Sequence, residues 1–382
     1  MEKGKENKTN RNYDFSHCYI CKKKLLIANI HKFYGNMCKK CGDYNYFFRT
    51  MELDLKGRIA IVTGGRIKIG YYIGIKLLSY GCKVLTTSRF PKDTLLKYQQ
   101  HPDYEKWKNN LIIYPIDFRS FESVIKFVNF VKENFPHLDI LINNAAQTIR
   151  KTSSYYKYLL PIETKVLNPE EEKKIIKTDY ISLQNQLKEE ENIKNDNQEI
   201  KSSLIALINK KEKEYKEILP LSVIASQIKI MEEKYQPIVN TIGSDGQPYD
   251  FSDGKNSWNF EFDEIPFQEF TEVQMINAWI PYYLCAKLKT LMLKSPFPDK
   301  SIVNVTAVEG IFNHYKRTTH VHTNMAKAAL NMFTLTCGKY LKNDGIYMTC
   351  VDTGWVSPMN EMNKILDENE KKIMKKNLKM CL

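Results

Sequence analysis

Short apolar runs alternate with segments of helical periodicity along two stretches of this chain. The first stretch contains the runs "GRIAIVTGG", "CKVLTTSR", "NLIIYPIDF" and "LDILINNAA". Between them lie "KIGYYIGIKLLSYG" and "SFESVIKFVNFVKENF", whose apolar residues recur at the spacing of an amphipathic helix. Short runs without polar alternation are typical of buried parallel strands. The alternation therefore predicts an α/β fold, a doubly wound parallel sheet of the Rossmann type.

The alternation stops at about Gln147 and returns after Lys255. The residues between them are rich in Lys, Glu, Asn and Gln, which predicts a large charged insertion that is partly helical and partly disordered. A solvated spacer is the favoured interpretation, and a partner-binding arm is the alternative. The second stretch contains the helix "FTEVQMINAWIPYYLCAKLKTLML", the strand "KSIVNVTAVEG", the helix "HTNMAKAALNMFTLTCGKYL" and the strand "GIYMTCVDTGWV".

Length and charge suit a nucleotide-binding domain with additions. The 382 residues divide into an N-terminal Cys-pair module (1–53), a Rossmann domain in two pieces (54–147 and 257–360), the insertion (148–256) and a Lys-rich tail (361–382). The net charge of +13 suits nucleic acid or an anionic cofactor, although dispersed Lys commonly serves solubility. The N-terminus lacks the apolar run of a secretory signal, and no apolar segment is long enough for a membrane helix. We therefore expect a cytoplasmic protein that does not associate with membranes.

Four cysteines near the N-terminus form two C-x-x-C pairs, Cys18 with Cys21 and Cys38 with Cys41. Two such pairs, separated by a loop, can place four thiolates around one zinc ion. The alternative is four unrelated reduced thiols. A segment this small cannot build a core of its own, so the metal would supply its folding energy and serve a structural role.

The glycine-containing turn "TGGRIKIG" and the motifs that follow it resemble the short-chain dehydrogenase/reductase family over roughly 54–147 and 257–360. The chain resembles a divergent member that carries an N-terminal Cys-pair segment. The family's turn binds a pyrophosphate at a helix N-terminus. The resemblance assigns this role to Thr63, Gly64, Arg66, Lys68, Ile69 and Gly70. Lys68 replaces the middle glycine of the family pattern, which hinders close backbone approach but adds positive charge. The alternative is a strand–helix turn that binds no ligand.

The resemblance also identifies the rest of a dinucleotide site. Ser88 and Arg89 stand where an NAD-specific member would carry an acid, and an arginine there suits a 2′-phosphate, so we expect NADP(H). The remaining expected contacts are Asp117 and Phe118 at the adenine, Asn144 and Ala145 of "NNAA" near its ribose, and Gly354 and Val356 beside the nicotinamide.

Catalysis in this family uses Asn, Ser, Tyr and Lys, and two of the four are replaced here. Asn277 fits the asparagine and Lys327 the lysine, which would also hold the nicotinamide ribose. Ala307 stands at the serine position, with the hydroxyl of Thr306 beside it, and Thr323 stands at the tyrosine position. A threonine hydroxyl is too weak an acid to replace the phenol. The candidate replacements as proton donor are His320 and Tyr315, with His314 and His322 nearby.

Two functions follow from this resemblance. The first is an oxidoreductase that transfers a hydride between NADP(H) and a small carbonyl or alcohol substrate, with a non-standard proton donor. The alternative is a catalytically degenerate dinucleotide-binding scaffold, a pseudoenzyme, that binds protein or RNA through the basic N-terminal module or the insertion. By resemblance, a homo-oligomer formed through the helices that carry Asn277 and Lys327 is also expected.

Overall fold

The computed structural model describes residues 17–151, 153–178, 256–313 and 316–354. They belong to two compact units, which divide after Asp54. The Lys-rich tail and most of the predicted insertion lie outside the described residues.

Six parallel strands form the sheet of the larger unit, within the described residues. They are β1 (Ile59–Val62), β2 (Lys83–Ser88), β3 (Leu111–Pro115), β4 (Ile140–Asn143), β5 (Lys300–Thr306) and β6 (Ile346–Asp352). Their order is β3-β2-β1-β4-β5-β6, and every neighbouring pair is parallel. The predicted parallel α/β sheet is therefore confirmed. The order reverses between β1 and β4, where a crevice forms at the carboxyl ends of the strands and ligands bind in such sheets.

Helices pack on both faces of this sheet. Among the described residues the α-helices are, in chain order, α1 (Lys39–Thr50), α2 (Lys68–Ser79), α3 (Pro91–Gln99), α4 (Tyr104–Trp107), α5 (Phe121–Asn134), α6 (Leu160–Glu163), α7 (Pro169–Glu172), α8 (Phe267–Gln274), α9 (Ile280–Leu293) and α10 (Val321–Lys342). In β1, Ile59 and Ile61 join the core cluster that includes α5 and α9, whereas Ala60 and Val62 join the cluster that includes α2. Both faces of β1 are therefore buried, which explains its lack of polar alternation.

The helix predicted through "FTEVQMINAWIPYYL" is interrupted by a π turn, Met275–Trp279. There the N–H of Ile280 donates to the carbonyl of Met275, five residues back. Pro281 has no N–H, so it cannot donate to the carbonyl of Asn277 as the next helical residue would. The proline and the π turn together place Asn277 in an irregular part of the helix, which is a frequent location for functional residues.

The first part of the predicted insertion packs against the sheet. Ile175 forms a parallel bridge with Ile113 of β3, with Ile113 N donating to Lys174 O at 2.8 Å and Ile176 N to Ile113 O at 2.9 Å. Residues 174–176 thus cover part of the edge of β3 that would otherwise present free backbone groups.

The smaller unit is built from the two cysteine pairs and one helix. Antiparallel bridges join His17 to Lys24 and Ile30 to Cys38, and Cys38 immediately precedes α1. Most of its large apolar side chains are exposed, including Ile27, Tyr44 and Phe47. So small an apolar core leaves much of the folding free energy to be supplied by something else, such as a metal.

Candidate functional site

The turn between β1 and α2 is tightly packed against the loop after β4. A Cβ atom on Gly70 would lie 2.3 Å from the carbonyl oxygen of Gly64 and 2.4 Å from Asn144 Nδ2, so no larger residue fits there. Asn144 Nδ2 donates to the carbonyls of Thr63 (2.9 Å) and Gly64 (3.1 Å). Gly64 has a φ of +68°, which favours glycine.

Thr63 holds the two loops together. Its hydroxyl oxygen accepts from the backbone N–H of Asn144 (2.9 Å) and of Ala145 (3.0 Å), and the hydroxyl donates to the carbonyl of Ile142 (3.2 Å). Thr63 and Asn144 therefore fix the loops after β1 and β4 to each other, at the point where the strand order reverses.

The N-terminus of α2 can receive an anion. Its N-cap residue, Ile67, makes no side-chain capping bond, so the first N–H groups of the helix are not bound by a capping side chain. Lys68, the first residue of α2, has a φ of +53°, in the left-handed region that glycine adopts readily. The chain thus keeps the glycine conformation of the family pattern while carrying a lysine, and Ile69 follows it in the first turn.

Three arginines, Arg66, Arg89 and Arg119, lie near the ends of β1, β2 and β3 and are called the arginine cluster below. Arg66 Nη1 donates to Asp93 Oδ2 at 2.7 Å, and both side chains are almost fully buried. Arg89 Nη2 donates to the phenolic oxygen of Tyr156 at 2.9 Å. Each of these expected cofactor contacts therefore already has a partner within the protein.

The remaining residues expected at the adenine are also engaged. Arg119 donates through Nε and Nη2 to both carboxylate oxygens of Asp117, at 2.6–3.1 Å. Burial alone would raise the pKa of Asp117, but the charges of Arg119 and Arg89 hold it well below its usual range. Ser88 Oγ accepts from the N–H of Phe90 at 2.9 Å, and Phe118 is buried in the core.

Asn277 fastens the loop after β4 to the π turn. Its Oδ1 accepts from Gln147 N at 2.8 Å and its Nδ2 donates to Gln147 O at 2.7 Å. Both ends of its buried amide are therefore occupied by one backbone segment.

Lys327 is buried on α10, and Nζ donates to the carbonyl of Val305 in β5 at 2.8 Å. No carboxylate lies within ion-pair distance of it among the described residues. Burial lowers the pKa of this ammonium to about 8, although the nearby Cys350 and Glu309 oppose the shift. A buried amine that titrates near neutral pH can hold and release a proton.

Two buried threonines belong to the segments that Lys327 joins, β5 and α10. Thr306 follows Val305 in β5, and Thr323 lies one turn before Lys327 on α10. Among the described residues, neither Oγ1 atom has a hydrogen-bond partner. Orphaned buried hydroxyls are costly, so they mark a place where a ligand or water could bind. Thr306, Thr323 and Lys327 are called the lysine site below.

His320 is fixed in place by contacts with Trp258. Its ring stacks on Trp258 with centroids 4.0 Å apart, and Nδ1 lies 3.0 Å from Trp258 O. His320 also has a φ of +46° at the start of α10. Its neighbour His322 is fully buried, with Nε2 donating to Thr148 O at 3.0 Å and Nδ1 unpartnered among the described residues. Tyr315, His314 and Val356 lie outside the described residues.

Three polar residues that sequence reasoning missed brace the loop after β4. Gln147 Nε2 donates to Glu272 Oε2 at 2.9 Å, and Arg150 Nη1 donates to Glu272 Oε1 at 2.5 Å. Burial raises the pKa of Glu272, against the opposing charge of Arg150. The alternation of apolar residues gives no sign of this ion pair, since its partners lie far apart in sequence. Gly354 has a φ of +67°, and among the described residues no atom lies within 4 Å of the position that a Cβ would take.

The four cysteines of the smaller unit come together. Their sulfurs all lie within 4.8 Å of one another, and Cys21 Sγ is 3.8 Å from Cys38 Sγ. Thiolates about 2.3 Å from a tetrahedral zinc would lie about 3.8 Å apart. Cys18, Cys21, Cys38 and Cys41 therefore fit a metal ion with four sulfur ligands.

Comparison with known families agrees with this architecture. The short chain dehydrogenase family matches residues 58–158. Over these residues the chain is similar to the short-chain dehydrogenase/reductase family. The matched residues include the glycine turn, the arginine cluster and the start of the segment after β4.

Individual relatives cover the chain to different extents. The uncharacterized protein R665 of Acanthamoeba polyphaga mimivirus is 29% identical over 340 residues, which is 86% of this chain and 60% of that protein. A (+)-neomenthol dehydrogenase of Capsicum annuum is 35% identical over 89 residues, 23% of this chain and 28% of that enzyme. This chain therefore spans less than two thirds of the length of either relative.

Solved structures of the family are similar at low identity. A metagenomic short-chain oxidoreductase in complex with NADP is 13% identical, with a TM-score of 0.46 over 82% of this chain and 88% of that one. The RhlG/NADP complex of Pseudomonas aeruginosa is 16% identical, with a TM-score of 0.47 over 83% of this chain and 80% of that one. None of the described helices is both long and apolar enough for a membrane span.

Proposed function

We propose that the chain is an NADP(H)-dependent oxidoreductase that acts on a small carbonyl or alcohol, with Lys327 as the group that exchanges the proton. The observation that carries the proposal is the lysine site. Lys327 is a buried amine whose pKa is lowered by burial and which donates to Val305 O, the residue before Thr306, while Thr323 lies one turn earlier on α10. Neither threonine hydroxyl has a partner among the described residues. NADP(H), when bound, supplies or accepts the hydride of this chemistry.

The chain's own residues divide the remaining work. The N–H groups at the start of α2, which no N-cap side chain binds, and the charge of Lys68 would bind the pyrophosphate. Arg89 would bind the 2′-phosphate, since its guanidinium forms paired hydrogen bonds with phosphate oxygens. Thr306 and Thr323 would orient the substrate oxygen, and Lys327 would give it a proton in reduction or take one in oxidation. Asn277 would fix the loop that closes the site, through its two bonds to Gln147.

The test is turnover of NADPH with a panel of aldehydes and ketones, comparing the wild type with Lys327→Met. Methionine preserves most of the side-chain volume while removing the amine, so we expect a loss of about 10²–10⁴-fold. Binding of NADPH, followed by its fluorescence, and the unfolding midpoint serve as controls for folding. Turnover that survives in Lys327→Met would exclude Lys327 as the proton-exchanging group.

A second function is favoured by one specific observation. Each member of the arginine cluster already has a partner within the protein, and the serine and tyrosine positions hold Ala307 and Thr323. A dinucleotide-binding scaffold without catalysis would tolerate both features. Saturable NADPH binding with no turnover on any substrate of the panel would favour this alternative.

We further propose a structural zinc ion bound by Cys18, Cys21, Cys38 and Cys41. The four converging sulfurs and the scarcity of buried apolar side chains in the smaller unit support it. Metal analysis of the wild type should give one zinc per chain, and Cys38→Ser should lower that content. An unchanged zinc content would contradict the assignment. The same module, which carries exposed aromatic and lysine side chains, is where the scaffold alternative would bind protein or RNA.

A homo-oligomer through α9 and α10 is also proposed. These helices expose several large apolar side chains, namely Tyr282, Leu335 and Tyr340, each more than half exposed. Light scattering on wild type and Leu335→Glu should show a multimer that the charge disrupts. A monomeric wild type would refute it.

A further inference from the structure

A segment of the predicted insertion covers the arginine cluster. Residues 153–163, called the strap below, begin shortly after β4 and end beside the N-terminus of α3. There Glu163 Oε1 accepts from Asp93 N at 2.8 Å and Oε2 from Lys92 N at 3.4 Å. Lys92 Nζ also donates to the carbonyl of Lys165, just beyond the strap, at 2.6 Å. The end of the strap is thus fastened to the first turn of α3.

Apolar contacts fasten the middle of the strap. Leu159 is fully buried and packs with Phe90, which follows Arg89 in the chain. Tyr158 and Ile162 add to this small cluster. The strap therefore lies on the residues that come directly after β2, where the family resemblance implies the 2′-phosphate of NADP(H).

Tyr156 contacts the guanidinium of Arg89 in two ways. Its hydroxyl oxygen accepts from Arg89 Nη2 at 2.9 Å, and its ring centroid lies 4.9 Å from the guanidinium carbon. The ring also packs on Phe90, with centroids 5.1 Å apart. Burial alone would raise the pKa of this phenol, but the charge of Arg89 lowers it. Tyr156 thus occupies a hydrogen-bonding position of Arg89 that a phosphate oxygen would otherwise fill.

We propose that the strap is a built-in competitor for the 2′-phosphate site, and that a ligand with a 2′-phosphate binds by displacing the Tyr156 hydroxyl from Arg89. This inference rests on the proposed NADP(H) function. A phosphate carries negative charge and several acceptor oxygens, whereas the phenol offers a single neutral oxygen, so the exchange is favourable for phosphate. A nucleotide without the 2′-phosphate gains nothing by this displacement. The strap therefore sharpens selection for phosphorylated ribose and slows entry to the site.

The first test is equilibrium binding of 2′,5′-ADP and 5′-ADP to the full chain, as wild type and Tyr156→Phe. Phenylalanine keeps the ring contact with Phe90 and removes only the competing oxygen. We expect Tyr156→Phe to bind 2′,5′-ADP about 3- to 10-fold more tightly, as for the loss of one competing hydrogen bond. Binding of 5′-ADP should not change. Tyr155→Phe, which removes a phenol from the same strap, is the matched control and should leave both affinities unchanged.

The second test is hydrogen exchange of backbone amides in the strap. Saturating 2′,5′-ADP should accelerate exchange in a peptide covering residues 153–163, and 5′-ADP should not. Weaker or unchanged 2′,5′-ADP binding in Tyr156→Phe would overturn the inference, since the phenol would then assist the phosphate or be indifferent to it. A strap that stays protected with ligand bound would overturn it too. If neither nucleotide nor NADPH binds to the wild type or to Tyr156→Phe, the proposed NADP(H) function fails together with the inference.

Discussion

The arginine cluster and the lysine site lie at the same end of one sheet, but their polar groups are satisfied in opposite ways. In the arginine cluster, each charged group has a partner within the protein: Arg66 with Asp93, Arg89 with Tyr156, and Arg119 with Asp117. At the lysine site, two hydroxyls have no partner among the described residues, and the ammonium has only a carbonyl.

This difference changes what a ligand has to do in order to bind at each place. A ligand at the arginine cluster has to replace interactions that already stabilise the fold, so binding there is an exchange. A ligand at the lysine site would form hydrogen bonds with groups that are costly to leave buried and unpaired. Binding there would therefore stabilise the folded protein. Substitutions at the two places should therefore change the free energy of unfolding in opposite directions.

The largest effect is expected from Asp93→Asn. It leaves the guanidinium of Arg66 buried without a countercharge, which lowers the free energy of unfolding by about 3–5 kcal/mol. Urea unfolding measures this, with Asp103→Asn as the control. Asp103 forms an exposed pair with Lys106, so its loss should change stability far less than the loss of the buried pair. Equal effects from the two variants would show that the arginine cluster is not held by its internal charge pairs.

Replacement of Lys327 is expected to raise the free energy of unfolding, the opposite of the effect at Asp93. Burial lowers its folded pKa to about 8, from an ordinary value of 10.5. Between these values the unfolded chain binds more protons than the folded chain, so the contribution of Lys327 to the free energy of unfolding rises with pH. Lys327→Met should therefore be more stable than the wild type by up to about 3 kcal/mol near pH 7.5.

The pH dependence of that difference is the decisive measurement. The gain from Lys327→Met should shrink as pH rises from about 8 and vanish near 10.5, when the amine is neutral in both states. Urea unfolding of both proteins across this range measures it. A difference that stays constant with pH would mean that the amine is not destabilised by burial, and the contrast between the two regions would lose its main support.

A smaller contrast is expected between two buried threonines. Thr323 Oγ1 has no partner among the described residues, whereas Thr94 Oγ1 donates to Phe90 O at 2.7 Å. Thr323→Val should raise the free energy of unfolding by about 1 kcal/mol, and Thr94→Val should lower it by a similar amount. Thr323→Val should also reduce turnover about 10-fold if the hydroxyl orients substrate. A loss of stability in Thr323→Val would reveal that its hydroxyl is already satisfied.

The sequence predicts much of the fold and part of the site because those signals are local. The alternation of apolar runs predicts the parallel sheet, and the glycines of the β1–α2 turn correspond to a packing that excludes any larger residue at Gly70. The family resemblance identifies Asn277, although the sequence does not predict the π turn that contains it. These features depend on residues within a few positions of each other.

Partners that lie far apart in sequence could not be predicted in the same way. Arg89 and Tyr156 are 67 residues apart, and Arg150 and Glu272 are 122 apart. Their contacts depend on how the start of the charged insertion packs against the rest of the protein, whereas its composition predicts a solvated segment. His320, a candidate proton donor, stacks on Trp258, which is another long-range contact that the sequence does not predict.

The smallest predicted effect concerns Lys68, which begins the helix that would bind the pyrophosphate between the two regions. A lysine at a φ of +53° is strained by roughly 1 kcal/mol relative to glycine. Lys68→Gly should therefore raise the free energy of unfolding by about that amount, whereas Lys76→Gly, in the interior of the same helix, should lower it by about 1 kcal/mol. Urea unfolding of both variants measures these changes.

Titration of wild type and Lys68→Gly with NADPH then shows whether the charge of Lys68 contributes to binding. If the charge of Lys68 binds the pyrophosphate, the affinity of Lys68→Gly for NADPH should fall while its free energy of unfolding rises. This is the trade-off expected of a binding residue. If the affinity for NADPH rises together with stability, the lysine only hinders close approach of the backbone, and the turn binds phosphate through its backbone N–H groups alone.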